Sequence, residues 1–213
     1  MIALAVLLSG RGSNFAAIQK AISDGVLDAK IVAVISNRLD APGIARAREL
    51  GLPAHVIEHR VYASRAAHES EVLRILASAN PDFIALAGYM RLLSASFIEA
   101  YRNRIVNIHP SLLPSFPGVD AQAQALAHGV KVSGCTVHFV DENLDAGPIL
   151  VQRSVPVLND DTAESLSARI LEEEHEAYVE ALQKLTRGFR VEGRRVVFGG
   201  ETARRRDDEA AAT

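Results

Sequence analysis

Cysteine is nearly absent from this 213-residue chain: Cys135 stands alone, which excludes an internal disulfide and any CxxC zinc site. At this length a hydrophobic core suffices without such staples, and the lack of disulfides fits a reducing compartment. Charge of one sign is also lacking. The formal net charge of -3 gives no general attraction to nucleic acid. The basic runs Arg194-Arg195 and Arg204-Arg205-Arg206 read as solvated faces, the second flanked by acidic residues. No apolar run is long enough to cross a membrane. Met1 to Leu8 also lacks the basic start and cleavage site of a secretion signal. These absences point to a cytoplasmic protein with no nucleic-acid or membrane partner.

What is present is a 48% hydrophobic, 23% charged composition ordinary for one globular domain. Short continuous apolar runs alternate with helical patterns. Ile2–Leu8, Ile31–Ile35, Ala54–Ile57, Phe83–Ala87 and Ile105–Ile108 read as buried strands. Between them, helices are expected over about Asn14–Ser23, Pro42–Leu50, Ser64–Ala79 and Ser94–Tyr101. Continuous apolar strands separated by helices predict a parallel sheet covered on both faces. The fold class is therefore α/β: a mostly parallel, Rossmann-like doubly wound sheet. A mixed C-terminal extension is expected from Val132–Val140 and Pro148–Val157, which lie close enough to pair. A helix from Asp160 to about Leu185, a hairpin over Phe189–Phe198 and a charged, disordered tail over 201–213 complete the reading.

The glycine turn Ser9-Gly10-Arg11-Gly12-Ser13-Asn14 follows the first strand, where α/β sheets bind ligands. Backbone N–H groups of Gly12, Ser13 and Asn14 at a helix start suit a phosphate. Phe15 stands where a dinucleotide fingerprint has its third glycine, and the Gly-Lys-Ser/Thr ending of a P-loop is missing, so a monophosphate fits better. A plain strand-to-helix turn with a Ser/Asn cap explains the same residues equally well.

Asn107 and His109 end a strand, and alternation sets them on one face at its carboxyl edge. An amide donor beside an imidazole suits a developing oxyanion, the imidazole also moving a proton. A strand-end histidine is more often structural. Asp145, before Ala146 and Gly147, fits turn chemistry, yet a carboxylate there could orient His109 if the fold brings them together. Cys135 sits in an apolar strand with no partner in view and reads as a buried spectator. His138 alternates with apolar residues and reads as structural. No set of histidines has metal-ligand spacing, so no metal is expected.

Three blocks carry a family resemblance: Asn107-Ile-His109-Pro-Ser-Leu-Leu-Pro114 with Pro117-Gly118, Gly88-Tyr-Met-Arg-Leu-Leu93, and Leu144-Asp145-Ala-Gly-Pro-Ile149. Their order over Ile2–Leu185 resembles the folate-dependent formyltransferases. The Gly12-Ser13-Asn14 start resembles the branch of that family acting on 5-phosphoribosylglycinamide in purine biosynthesis. The resemblance implies a single catalytic domain over 1–200 that uses 10-formyltetrahydrofolate as co-substrate, with Asn107, His109 and Asp145 catalytic. It implies acceptor contacts from Gly12, Ser13, Asn14 and Glu174. Donor contacts are implied from Arg65, Met90, Arg91, Leu92, Leu93 and Asn107, and from the Asp141, Glu142, Asn143, Leu144, Asp145 loop. Apart from the resemblance, Glu174 and Arg65 read as solvated helix surface and Leu92–Leu93 as core. Many relatives have histidines where this chain reads Val119-Asp120-Ala121-Gln122, so that loop is given no role. A hydrolase of the same folate, a tRNA formyltransferase and a phosphate-sensing module are the alternatives. The first two families usually carry an extra N-terminal or basic C-terminal domain that this chain does not show. Either a monomer or a homodimer fits.

Overall fold

The computed structural model describes residues 1–199; the tail expected over 201–213 lies outside them. A nine-stranded sheet has the order β3-β2-β1-β4-β5-β6-β7-β9-β8. Its strands are β1 (Ile2–Leu8), β2 (Ala29–Ser36), β3 (Ala54–Val56), β4 (Phe83–Leu86) and β5 (Ile105–His109), then β6 (Val132–Phe139), β7 (Ile149–Pro156), β8 (Phe189–Glu192) and β9 (Arg195–Phe198). β1 to β5 pair in parallel, and β6 and β7 continue the sheet antiparallel. The order reverses between β1 and β4, the switch point where open α/β sheets bind ligands beyond their strand ends.

The apolar runs are continuous because both faces of the sheet are covered. In β1, Leu4, Val6 and Leu8 pack into the core under α1 (Ser13–Ser23), α2 (Pro42–Glu49) and α6 (Ala163–Thr186). Ala5 and Leu7 pack on the opposite face with α3 (Arg65–Ala79) and α4 (Ala95–Ala100). Every one of these β1 side chains is fully buried. Each large aliphatic chain so buried contributes about 1.5–3 kcal/mol.

Helix starts follow local chemistry. The Ser64 hydroxyl accepts from the Ala67 N–H at 3.1 Å and caps α3. Thr162 and Ser165 form a reciprocal capping box at the head of α6. One element escapes the sequence reading: α5 (Ala121–Ala127) occupies part of the stretch read as a loop. It is short and rich in alanine and glutamine, with little more than Ala121 and Ala125 turned inward, so its periodic signal is weak.

The β8–β9 hairpin extends the sheet edge, with β9 running parallel to β7. Phe189 holds it to the body by stacking on Phe139 at 5.1 Å and Phe83 at 6.0 Å. Among the described residues no helix is long and apolar enough to cross a membrane.

Candidate active site

The strand ends of β1, β4 and β5 form one edge, and the loops leaving them carry the candidate residues. Gly12 holds a left-handed conformation (φ 69°) at the head of α1, and no side chain caps that helix. A Cβ on Gly12 would lie 3.3 Å from the Cα of Gly43 and from a Leu8 methyl, so glycine lets the turn close against α2. The first-turn N–H groups of a helix have no partner within it, and here they begin at Ser13 and Asn14. Sequence placed the helix start at Asn14; it lies one residue earlier.

Asn14 is buried, and its amide donates to Glu174 Oε2 at 2.8 Å, joining α1 to α6 across 160 positions of sequence. Glu174 is 9% exposed, so it is not the solvated surface that its Glu-Glu-Glu run suggests. Burial raises its carboxyl above the ordinary value, and the Asn14 bond opposes that shift. One turn along α6, the buried Tyr178 hydroxyl donates to the carbonyl of Val106 at 2.8 Å and lies 3.1 Å from that of Leu86. The same helix thus reaches from the glycine turn to the ends of β4 and β5.

At the end of β5, His109 is 4% exposed. Its Nε2 lies 2.8 Å from the carbonyl oxygen of Phe116, which can only accept. Its Nδ1 lies 3.3 Å from Asp145 Oδ2. Both ring nitrogens therefore face oxygen acceptors. Asp145 sits at φ 50° and accepts the Gly118 N–H at 2.8 Å, which fixes its carboxylate between the two loops. Gly147 lets that loop fold onto β6: a Cβ there would fall 1.9 Å from the Phe139 carbonyl oxygen.

Antiparallel pairing sets Asn107 opposite His138. His138 is 2% exposed, and burial lowers its pKa from the ordinary value. Its Nδ1 lies 2.9 Å from the Phe139 carbonyl oxygen and so carries the proton. The bare Nε2 faces the Asn107 amide nitrogen at 3.4 Å and Asp145 Oδ1 at 3.8 Å. His138 is thus the neighbour of the Asn107 amide nitrogen, a contact that an isolated apolar strand does not reveal. The Pro110–Pro117 loop is held from β6 and β7. Thr136 Oγ1 accepts from the Leu113 N–H at 3.0 Å, and the Gln152 amide donates to the Leu113 carbonyl at 2.8 Å.

Apolar side chains beside this corner are exposed. Met90 is 80% exposed, Leu92 69%, Leu144 59% and Val119 82%, far from the buried core that Leu92 suggests in sequence. Leu93 alone of the run packs into the core, against the α3 and α4 face. In the Asp141–Asp145 loop, Asp141 Oδ1 accepts the Asn143 N–H at 2.9 Å, and Glu142 pairs at the surface with Arg102. Arg65 opens α3, its Nε donating to the buried Glu69 at 3.1 Å, and both line a pocket of about 330 Å³ with Ser94 and Leu73. Arg91 is half-buried and lies near His68. A larger cleft, about 620 Å³, opens beside Ser9, Gly10, Asn37, His59 and Met90. Asn107, His109 and Asp145 are not among its walls.

Cys135 is fully buried, and burial pushes its thiol up to about 12. No group of three His, Cys, Asp or Glu side chains able to hold a metal occurs among the described residues.

Residues 2–182 match the formyl transferase family. The chain belongs to that family. This formyltransferase chain is 50% identical over 187 residues to the trifunctional purine biosynthetic protein adenosine-3 of Drosophila melanogaster, covering 87% of the chain and 14% of that protein. It is 41% identical over 181 residues to phosphoribosylglycinamide formyltransferase of Bacillus subtilis, covering 85% of the chain and 93% of that enzyme. It superposes with a TM-score of 0.91 and 48% identity on the crystal structure of glycinamide ribonucleotide transformylase 1 from Symbiobacterium toebii, covering 94% and 95% of the two chains.

Proposed function

We propose that this formyltransferase moves the formyl group of 10-formyltetrahydrofolate to the amine of 5-phosphoribosylglycinamide, as in purine biosynthesis. The observation that carries the reading is the corner at the end of β5, where His109 is held between the Phe116 carbonyl and Asp145 two residues beyond Asn107. The names of the B. subtilis and S. toebii proteins support the choice of acceptor.

In this reading the acceptor amine attacks the formyl carbon, and the carbonyl oxygen gathers charge in a tetrahedral intermediate. The Asn107 amide donates to that oxygen, and the protonated His109 ring adds charge beside it. Asp145 holds the imidazolium in place. Collapse breaks the bond from carbon to the folate N10, which takes up a proton as the amine nitrogen loses one. No covalent bond to the enzyme forms, so Cys135 has no part. Gly12, Ser13 and Asn14 receive the acceptor's phosphate on backbone N–H groups, and Glu174, held by Asn14, contacts the acceptor beside them. The folate rests on the exposed apolar groups Met90, Leu92 and Leu144, with Arg65 and Arg91 beside it.

A spectrophotometric assay tests this. Consumption of 10-formyltetrahydrofolate is expected only when 5-phosphoribosylglycinamide is present. Consumption without the amine would instead mark water as acceptor and a hydrolase.

A further inference from the structure

The Met90–Leu93 segment puts Met90 and Leu92 in the solvent but is tied down at both ends by buried groups from elsewhere in the chain. At its start, the Met90 N–H donates to Ser9 Oγ at 2.8 Å. Ser9 is 5% exposed and in turn donates to Asn37 Oδ1 at 2.6 Å. Asn37, 3% exposed, sits at the end of β2 and meets Nδ1 of His59 at 3.3 Å. The Met90 backbone is thereby linked through Ser9 to two further strand ends.

Just past the segment's other end, the Ser94 N–H donates to Glu69 Oε1 at 3.0 Å, and the Ser94 hydroxyl donates to Glu69 Oε2. Glu69 is 6% exposed on α3 and also accepts from Arg65 Nε at 3.1 Å. Its two oxygens thus serve three donors. The Ser94 hydroxyl meanwhile accepts from the Phe97 N–H at 3.3 Å and caps α4. Between these anchors Leu93 packs into the core, while Met90 and Leu92 project.

We propose that Ser9 and Glu69 are positioning residues for the formyl donor, clamping the two ends of Met90–Leu93 so that its exposed apolar side chains present a fixed surface. This rests on the reading of that surface as the folate platform. Neither residue touches the reacting atoms. Each acts by removing conformational freedom that donor binding would otherwise have to remove.

Ser9→Ala deletes the acceptor for the Met90 N–H with little change in volume. Glu69→Gln leaves one acceptor oxygen where three donors need two, and keeps the shape. With the full chain and both substrates, each variant is expected to raise KM for 10-formyltetrahydrofolate about five- to tenfold, the worth of one or two buried hydrogen bonds. The turnover number and KM for 5-phosphoribosylglycinamide should stay within about twofold of the parent. A purely structural role would lower turnover and disturb both KM values together, and that pattern overturns the proposal. So does an unchanged donor KM in a folded variant.

Amide hydrogen exchange gives a second measurement that needs no substrate. The Met90 amide in Ser9→Ala and the Ser94 amide in Glu69→Gln should exchange faster, with the rest of the sheet unchanged. Unaltered exchange at both amides overturns the clamps even if transfer is normal. A parent that exchanges as expected but transfers no formyl group contradicts the functional reading instead. If Ser9→Ala does not fold, Glu69→Gln carries both tests at the other end.

Discussion

His109 Nδ1 lies 3.3 Å from Asp145 Oδ2, and the same carboxylate oxygen accepts the Gly118 N–H at 2.8 Å. One acidic side chain therefore locks the orientation of the imidazole and ties the Asp141–Asp145 loop to the loop that follows β5. We propose that a group so placed acts on the histidine.

Asp145→Asn keeps the volume and removes the charge. Turnover is expected to fall about 10²-fold with the fold retained, since the ring loses its carboxylate partner and its fixed orientation. Steady-state kinetics beside a far-ultraviolet circular dichroism spectrum check this. Turnover within about threefold of the parent would mean that Asp145 serves only as turn chemistry.

His138→Leu leaves the Asn107 amide without the ring nitrogen that now faces it at 3.4 Å. The expected fall in turnover is about five- to tenfold, one hydrogen bond's worth of positioning, against about 10²–10³-fold for Asn107→Ala. The order of the two variants is the test. An His138→Leu defect as deep as that of Asn107→Ala would make His138 a direct participant.

The strands and most helices were legible because their signals are local. Ile2–Leu8 reads as a doubly covered strand from seven apolar residues in a row, and the structure packs them on two faces. The site was only half legible. Asn107 and His109 share a strand edge by simple alternation, but the partners that give them meaning come from pairing register and loop closure. His138 reaches Asn107 only through the β5–β6 pairing, and Asp145 reaches His109 only because its loop folds back over Gly147. Glu174 looked solvated within an acidic run because periodicity does not show that α6 lies over the glycine turn. Ser9 and Glu69 gave no signal at all, since a serine in a turn and a glutamate on a helix are commonplace until their partners are seen.

Glu174→Gln tests the buried carboxyl by stability. Burial raises its pKa in the folded chain, so the folded state holds the proton more tightly than the unfolded one. Its contribution is then fully present below the ordinary carboxyl value and is lost as pH rises through the raised one. The amide has no such loss. Thermal melts should show a Tm advantage for Glu174→Gln that is small near about pH 4 and grows as pH rises toward about pH 8. An advantage that shrinks as pH rises would contradict the sign.

Cys135 is fully buried with its thiol pushed up to about 12. Iodoacetamide at about pH 8 should label the unfolded chain and leave the native one unmodified, because the thiolate is the reactive form. Cys135→Ala should retain turnover within about twofold of the parent, as a direct transfer requires.

The most direct measurement is single-turnover formyl transfer by His109→Ala with both substrates saturating. The chemical step should be at least about 10²-fold slower, in a protein that folds and binds 5-phosphoribosylglycinamide like the parent. A chemical step at the parent's rate in that variant would contradict it.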